Sequence, residues 1–181
     1  GQTEGARAEI SGGESIRRVV LVDQSAIGKT PRSNPAVYVG AFDGIRKLFG
    51  SSPDANRLNL DARDFSFNSR NGQCERCRGA GFEKVEMQFL SDVFVRCTEW
   101  DGRRYRAHVL EARCHPPNGN RESDTGESPT ASGWTIAEML DATVDEAIAF
   151  LQRFGEQKDA TEARRRLGRL AEAGLGYLRL G

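Results

Sequence analysis

The chain has no apolar run approaching 18 residues and no charged-then-apolar leader. A spanning helix needs about 20 apolar residues, so neither membrane insertion nor export is expected, and a cytoplasmic protein is the reading. Cysteine is scarce, with four in 181 residues. That is too few for a dense disulfide lattice and suits a reducing compartment. Net charge is missing too, with 26 Lys/Arg against 26 Asp/Glu. A neutral chain is poor evidence for nucleic-acid binding, but the balance hides an asymmetry. From Lys29 to Arg113 there are fifteen basic and eleven acidic residues; from Cys114 to Asp159 there are three and nine. A basic half interleaved with aromatics keeps nucleic acid open as a partner, although solvated faces give the same counts. A complete phosphate-binding loop is also lacking. Gly28-Lys29-Thr30 imitates the end of G-x4-G-K-[ST], but Asp23 stands at the first-glycine position and Pro31 where a helix should start.

What is present centres on the cysteines. Cys74 and Cys77 form a C-x2-C followed by Gly79 and Gly81, and nineteen residues separate Cys77 from Cys97. This is the spacing of a structural zinc ribbon, two thiolate knuckles joined by a hairpin. The fourth ligand position is held by Trp100. Burial of the cysteines as small hydrophobes is the plain alternative; three of four at ligand spacing beside glycines favours a metal-site origin. Between the knuckles, Val85, Met87 and Phe89 alternate with Lys84, Glu86 and Gln88, and Val93 and Val95 follow a Ser91-Asp92 turn. That pattern predicts a half-buried β-hairpin held mainly by those five apolar residues.

Taken in order, residues 1–14 read as a loop or cut end, and Ile16–Val22 as a buried strand ending at Asp23-Gln24-Ser25. Residues 25–33 form an extended basic loop carrying Lys29 and Arg32. Asn34-Pro35 starts an amphipathic helix whose stripe is Tyr38, Ala41, Phe42, Ile45, Leu48 and Phe49, with Gly50 as its stop. Residues 51–64 read as a polar connection, Phe65–Asn68 as a short strand, and Arg70-Asn71-Gly72 as the turn into the first knuckle. Arg103–Arg113 alternates as a strand with His108 on its solvent face; eleven extended residues span roughly 35 Å, which keeps Cys114 away from the metal site. Residues 116–133 are nearly free of apolar side chains and predict a mobile loop. Thr135-x-x-Glu138 and Thr143-x-x-Glu146 are capping boxes, the second opening a helix with Ala147, Ile148 and Leu151 inside. A third helix runs over 160–173 to Gly174. The ending, without cap or polar tail, reads as part of a longer protein.

Four stretches add up to a family: D-Q-S-A-I-G-K-T-P-R-S-N-P-A-V-Y (23–38), the ribbon over 65–97, G-R-R-Y (102–105) and G-L-G-Y-L-R-L-G (174–181). They closely resemble UvrA, the damage-sensing ATPase of bacterial nucleotide excision repair. The likeness runs over nearly the whole chain except 116–133, within the family's C-terminal half. It implies an α+β fold, a fragment of an ABC-ATPase-type domain with a zinc-ribbon-like hairpin and flanking amphipathic helices. The implied parts are 1–33, the end of the nucleotide-binding core with its Q-loop and basic loop; 34–64, a helix and connection; 65–115, the hairpin module; 116–133, the loop; and 134–181, a helical return stopping before the ABC signature. Gln24 would be the nucleotide-sensing glutamine. Lys29, Arg32, Ser33, Asn34 and Arg70 would face DNA, and Cys74, Cys77 and Cys97 would be zinc ligands. Implied partners are double-stranded DNA, the rest of a UvrA-like chain or a second copy, and UvrB, the next component of the excinuclease. ATP and magnesium would belong to the full-length protein only. A structural or protein-interaction fragment of a decayed paralogue, without DNA binding, is the alternative.

Two expectations follow. With one ligand replaced, zinc should be held weakly or not at all, Trp100 covering the vacated position. The isolated chain should not hydrolyse ATP, since no Walker A, Walker B or signature sequence lies within it. A colourimetric phosphate-release assay checks this; turnover that vanishes on Lys29→Ala would contradict it.

Overall fold

A computed structural model describes residues 17, 32–87, 89, 92–117 and 133–181. The expected strand at 16–22, Gln24, Lys29 and most of the 116–133 loop lie outside the described residues.

Local chemistry starts the helical part. The Asn34 side-chain oxygen accepts from the Val37 N–H at 2.9 Å, and Pro35 opens α1 (Pro35–Tyr38). The single helix expected here is broken. Gly40 takes φ +74, and a second helix, α2 (Phe42–Gly50), starts afresh. The break turns Tyr38 to solvent while Phe42, Ile45, Leu48 and Phe49 stay buried. Gly50 is not the stop. It is the last helical residue, and its missing side chain matters because a Cβ there would lie 2.6 Å from the Ala62 nitrogen. The polar connection that follows holds α3 (Pro53–Arg57), capped by Ser52 and started by proline.

Residues 65–68 are turns rather than a strand. Phe65 and Phe67 are buried against Phe49 and Phe42, with ring centroids 5.7 and 4.8 Å apart. Two alternating aromatics imitated a strand, but the backbone here closes on itself, with the Ser66 N–H on the Arg63 carbonyl and the Ser69 N–H on the Ser66 carbonyl. The strand expected over 103–113 is corrected as well. It consists of one bridge, Tyr105 with Gln73, followed by α4 (Ala107–Leu110). Its buried residues, Tyr105, Val109 and Ala112, are spaced by four and three, the period of a helix. His108 is exposed, as expected.

The returning part forms as its caps dictate. Both capping boxes are complete, opening α5 (Ile136–Asp141) and α6 (Val144–Gln152). Helix α7 (Lys158–Glu172) packs on α6 and α2. It comes close to α2 at Gly44, where a Cβ would sit 2.7 Å from the Asp159 carbonyl. The last residues cross back over this layer: the Leu180 N–H donates to the Ala142 carbonyl, and its carbonyl accepts from Ala36. One apolar core thus joins α1 to α7, and the ribbon projects from it. The ribbon contains a small antiparallel sheet, β1 (Phe82–Val85) with β2 (Val93–Arg96), register Phe82–Arg96 through Val85–Val93.

Tyr105 is the rivet between core and ribbon. Its ring is buried beside Phe67, and its hydroxyl donates to the Phe65 carbonyl at 3.0 Å. Burial holds its pKa above the ordinary tyrosine value. Tyr105→Phe strands that carbonyl acceptor and should destabilise the chain by about 1–3 kcal/mol in thermal or urea unfolding. An unchanged transition would show that the bond carries nothing.

Candidate metal centre in the ribbon

The two knuckles are related by an approximate internal repeat with an offset of 23 residues. The Cys74 N–H donates to the Arg104 carbonyl at 2.8 Å, and the Cys97 N–H donates to the Gly81 carbonyl at 2.9 Å. The bridge Gln73–Tyr105 is the counterpart of the pair Arg96–Phe82. Arg78 and Gly79, with φ +50 and +82, match Asp101 and Gly102, with φ +50 and +70. Each turn therefore carries its first cysteine at the same station and leaves through the left-handed region. Glycine is needed at Gly79, where a Cβ would stand 1.8 Å from the Phe67 carbonyl oxygen.

The correspondence fails at one residue. Cys77 is matched by Trp100, and Trp100 itself takes φ +52, so that three consecutive residues of the second turn are left-handed. A bulky side chain in that region is strained by roughly 1–2 kcal/mol. Trp100 is 48% exposed.

Cys74, Cys77 and Cys97 are buried, and their sulfurs all lie within 4.8 Å of one another. They form a cluster apart from the main core. Burial pushes the Cys97 thiol up to about 12, with Cys77 and Cys74 adding to the shift. Crowded thiolates with little water are what a cation relieves, so the donor set fits a thiophilic metal. Among the described residues no histidine or carboxylate joins the group. Cys114 belongs elsewhere: it is buried in the helical core with its sulfur 4.0 Å from the Leu48 carbonyl, and burial raises its pKa to about 12.

The hairpin above the cluster departs from expectation. Val85, Val93 and Val95 share one face as predicted, but that face is open, and Phe89 is 95% exposed. Phe82 and Phe94 are exposed on the opposite face. These residues do not hold the hairpin. Four backbone-paired positions and surface ion pairs (Arg76–Glu83 at 2.7 Å, Lys84–Asp92 at 2.8 Å) remain. Such a ribbon is marginal alone. Its anchor is at the base, in the two knuckles.

Of the residues expected to face DNA, Arg32 reaches the ribbon: its Nη2 donates to the Arg78 carbonyl at 2.6 Å, one residue past Cys77. Ser33 and Arg70 are exposed. Asn34 is buried as the α1 cap, a role its Asn-Pro context already signalled.

With this geometry in hand, the comparisons are specific. The chain is 42% identical over 177 residues to the UvrABC system protein A of Methanothermobacter thermautotrophicus, covering 98% of itself and 16% of that protein. It is 42% identical over 177 residues to the Micrococcus luteus protein of the same name, with the same coverages. This chain is homologous to a segment of UvrA. The UvrABC system protein A of Thermus thermophilus matches at 38% over 179 residues, 99% of this chain and 16% of that one. The crystal structure of UvrA2 from Deinococcus radiodurans superposes with a TM-score of 0.70 at 42% identity, over 88% of this chain and 17% of that one. No family model matches the chain. The chain thus spans about one-sixth of the length of its UvrA relatives. The mixed fold of helices with a small antiparallel hairpin is UvrA-like. Among the described residues, no helix is long and apolar enough to cross a membrane.

The knuckle geometry makes a prediction with an internal control. Gly79→Ala combines a left-handed φ with a backbone clash and should cost about 2 kcal/mol or more. Gly174→Ala, at φ +76 with nothing within 4 Å, carries only the conformational penalty of about 1 kcal/mol. Equal shifts in unfolding midpoint would contradict the close approach at Gly79.

Proposed function

We propose that this chain is the DNA-binding and damage-recognising part of a UvrA-type protein acting in nucleotide excision repair. The observation that carries the reading is the meeting of Arg32 with the ribbon, through its bond to the Arg78 carbonyl. It sets a cation that reaches phosphate beside a hairpin built to protrude. Lys29, Arg32, Ser33 and Arg70 supply the phosphate contacts, and Asn34 supports them by holding α1. Phosphate neutralisation gives affinity with little base readout, as a sensor of varied lesions requires.

Zinc is the metal the three cysteines suit, held by Cys74, Cys77 and Cys97. Its contribution is structural, tying both knuckle turns at the foot of a hairpin that has no core of its own. Gln24 serves as the nucleotide sensor for ATP and magnesium only within a longer protein. There the partners are duplex DNA, a second UvrA copy and the excinuclease component UvrB. The exposed apolar residues Phe89 and Phe94 favour a second reading, in which the hairpin meets protein and DNA binding has been lost.

Fluorescence anisotropy with a duplex oligonucleotide over a series of salt concentrations separates the two. The first reading predicts a clear negative slope of log K on log salt, lowered by about one unit by each of Lys29→Ala and Arg32→Ala. A slope near zero for the unaltered chain selects the protein-contact reading.

A further inference from the structure

The station that Trp100 leaves without a sulfur borders a cleft. Cys74, Glu75, Arg76, Glu99, Trp100 and Arg106 line it, with a volume of about 560 Å³. A buried cysteine therefore borders space reachable from solvent at the one place where the second knuckle offers no sulfur. The carboxylates around the foot of the ribbon are engaged with arginines, and Glu83 also lies within hydrogen-bond reach of the Cys97 thiol. Glu75 pairs with Arg106 at 3.1 Å, Glu83 with Arg76 at 2.7 Å, and Asp101 faces Arg96 at 3.5 Å. None of them, nor Glu99, lies with all three sulfurs in the group within 4.8 Å. Arg76 and Arg106 on the cleft wall are matched by Glu75 and Glu99, so the wall itself adds no net charge.

We propose that the ribbon holds its metal with three cysteines and that the fourth coordination position accepts an exogenous small thiol from this cleft. The inference rests on the metal reading above. Structural zinc sites are closed by four protein ligands, whereas a site with three keeps a position for solvent or another ligand. Soft thiolate is the ligand class that thiolate-bound metal prefers. The incoming thiol gives its proton to solvent, its sulfur bonds the metal, and the solvent ligand leaves; no oxidant or reductant is involved. The ribbon then becomes an exchangeable site whose occupancy follows the thiol concentration around it.

Cobalt substitution tests this in the full 181-residue chain, prepared without thiol. Cobalt(II) should bind with sulfur-to-metal charge-transfer absorption of three thiolates. Titration with 2-mercaptoethanol should raise that absorption by about one-third, the step from three sulfurs to four. Trp100→Cys should begin at the higher value and no longer respond to the thiol. A bound cobalt spectrum that 2-mercaptoethanol leaves unmoved, or that Glu99→Gln or Glu83→Gln alters before thiol is added, overturns the open position while leaving the metal reading intact. Absence of cobalt absorption overturns both.

Discussion

The ribbon depends on the convergence of two turns on one small volume. Reciprocal backbone bonds, from Cys74 to Arg104 and from Cys97 to Gly81, bring three sulfurs to within 4.8 Å. Among the described residues, these three cysteines alone make up the buried cluster there. As neutral thiols the three side chains are merely compact; as thiolates they repel, and Cys97 resists ionisation chiefly because it is buried and further because of that repulsion. A cation changes the sign of the interaction, and its binding energy becomes folding energy for the hairpin. The hairpin's valines and phenylalanines face outward and give it no core of its own.

The second constraint is the seam between ribbon and helices. Arg104 stands over the Phe67 ring with its carbon 5.4 Å from the centroid, and burial lowers its pKa. Tyr105, next in sequence, closes the same seam with its hydroxyl. The residues that leave the second knuckle thus fix the ribbon's orientation on the helical core. The same path links the cysteine cluster to Phe65 and Phe67, which pack on Phe49 and Phe42 of α2.

Much of this was legible in the sequence, for identifiable reasons. Capping boxes are local, and Thr135 and Thr143 formed where their spacing placed them. Ligand spacing is local too, and the three cysteines met. Pattern failed where tertiary context decided. Tyr105, Ala107 and Val109 read as alternation because a three-residue sample cannot separate a period of two from a bridge followed by a helical turn. Phe65 and Phe67 alternate but have no strand to pair with. The hairpin's apolar residues looked like a core face, and periodicity alone says nothing of what covers them. The break at Gly40 was hidden by a continuous apolar stripe. Trp100 was visible as a missing ligand, but its left-handed backbone and the cleft beside Cys74 arise only once the chain is folded.

Zinc K-edge X-ray absorption on the chain purified from zinc-supplemented cells, without thiol or chelator, tests most directly whether three sulfurs hold the metal. Up to one zinc per chain is expected, with three sulfur neighbours near 2.3 Å and one lighter atom, the sulfur count rising to four in Trp100→Cys. Zinc ringed only by nitrogen and oxygen, or four sulfurs that persist in the unaltered chain after small thiols are dialysed away, would contradict it.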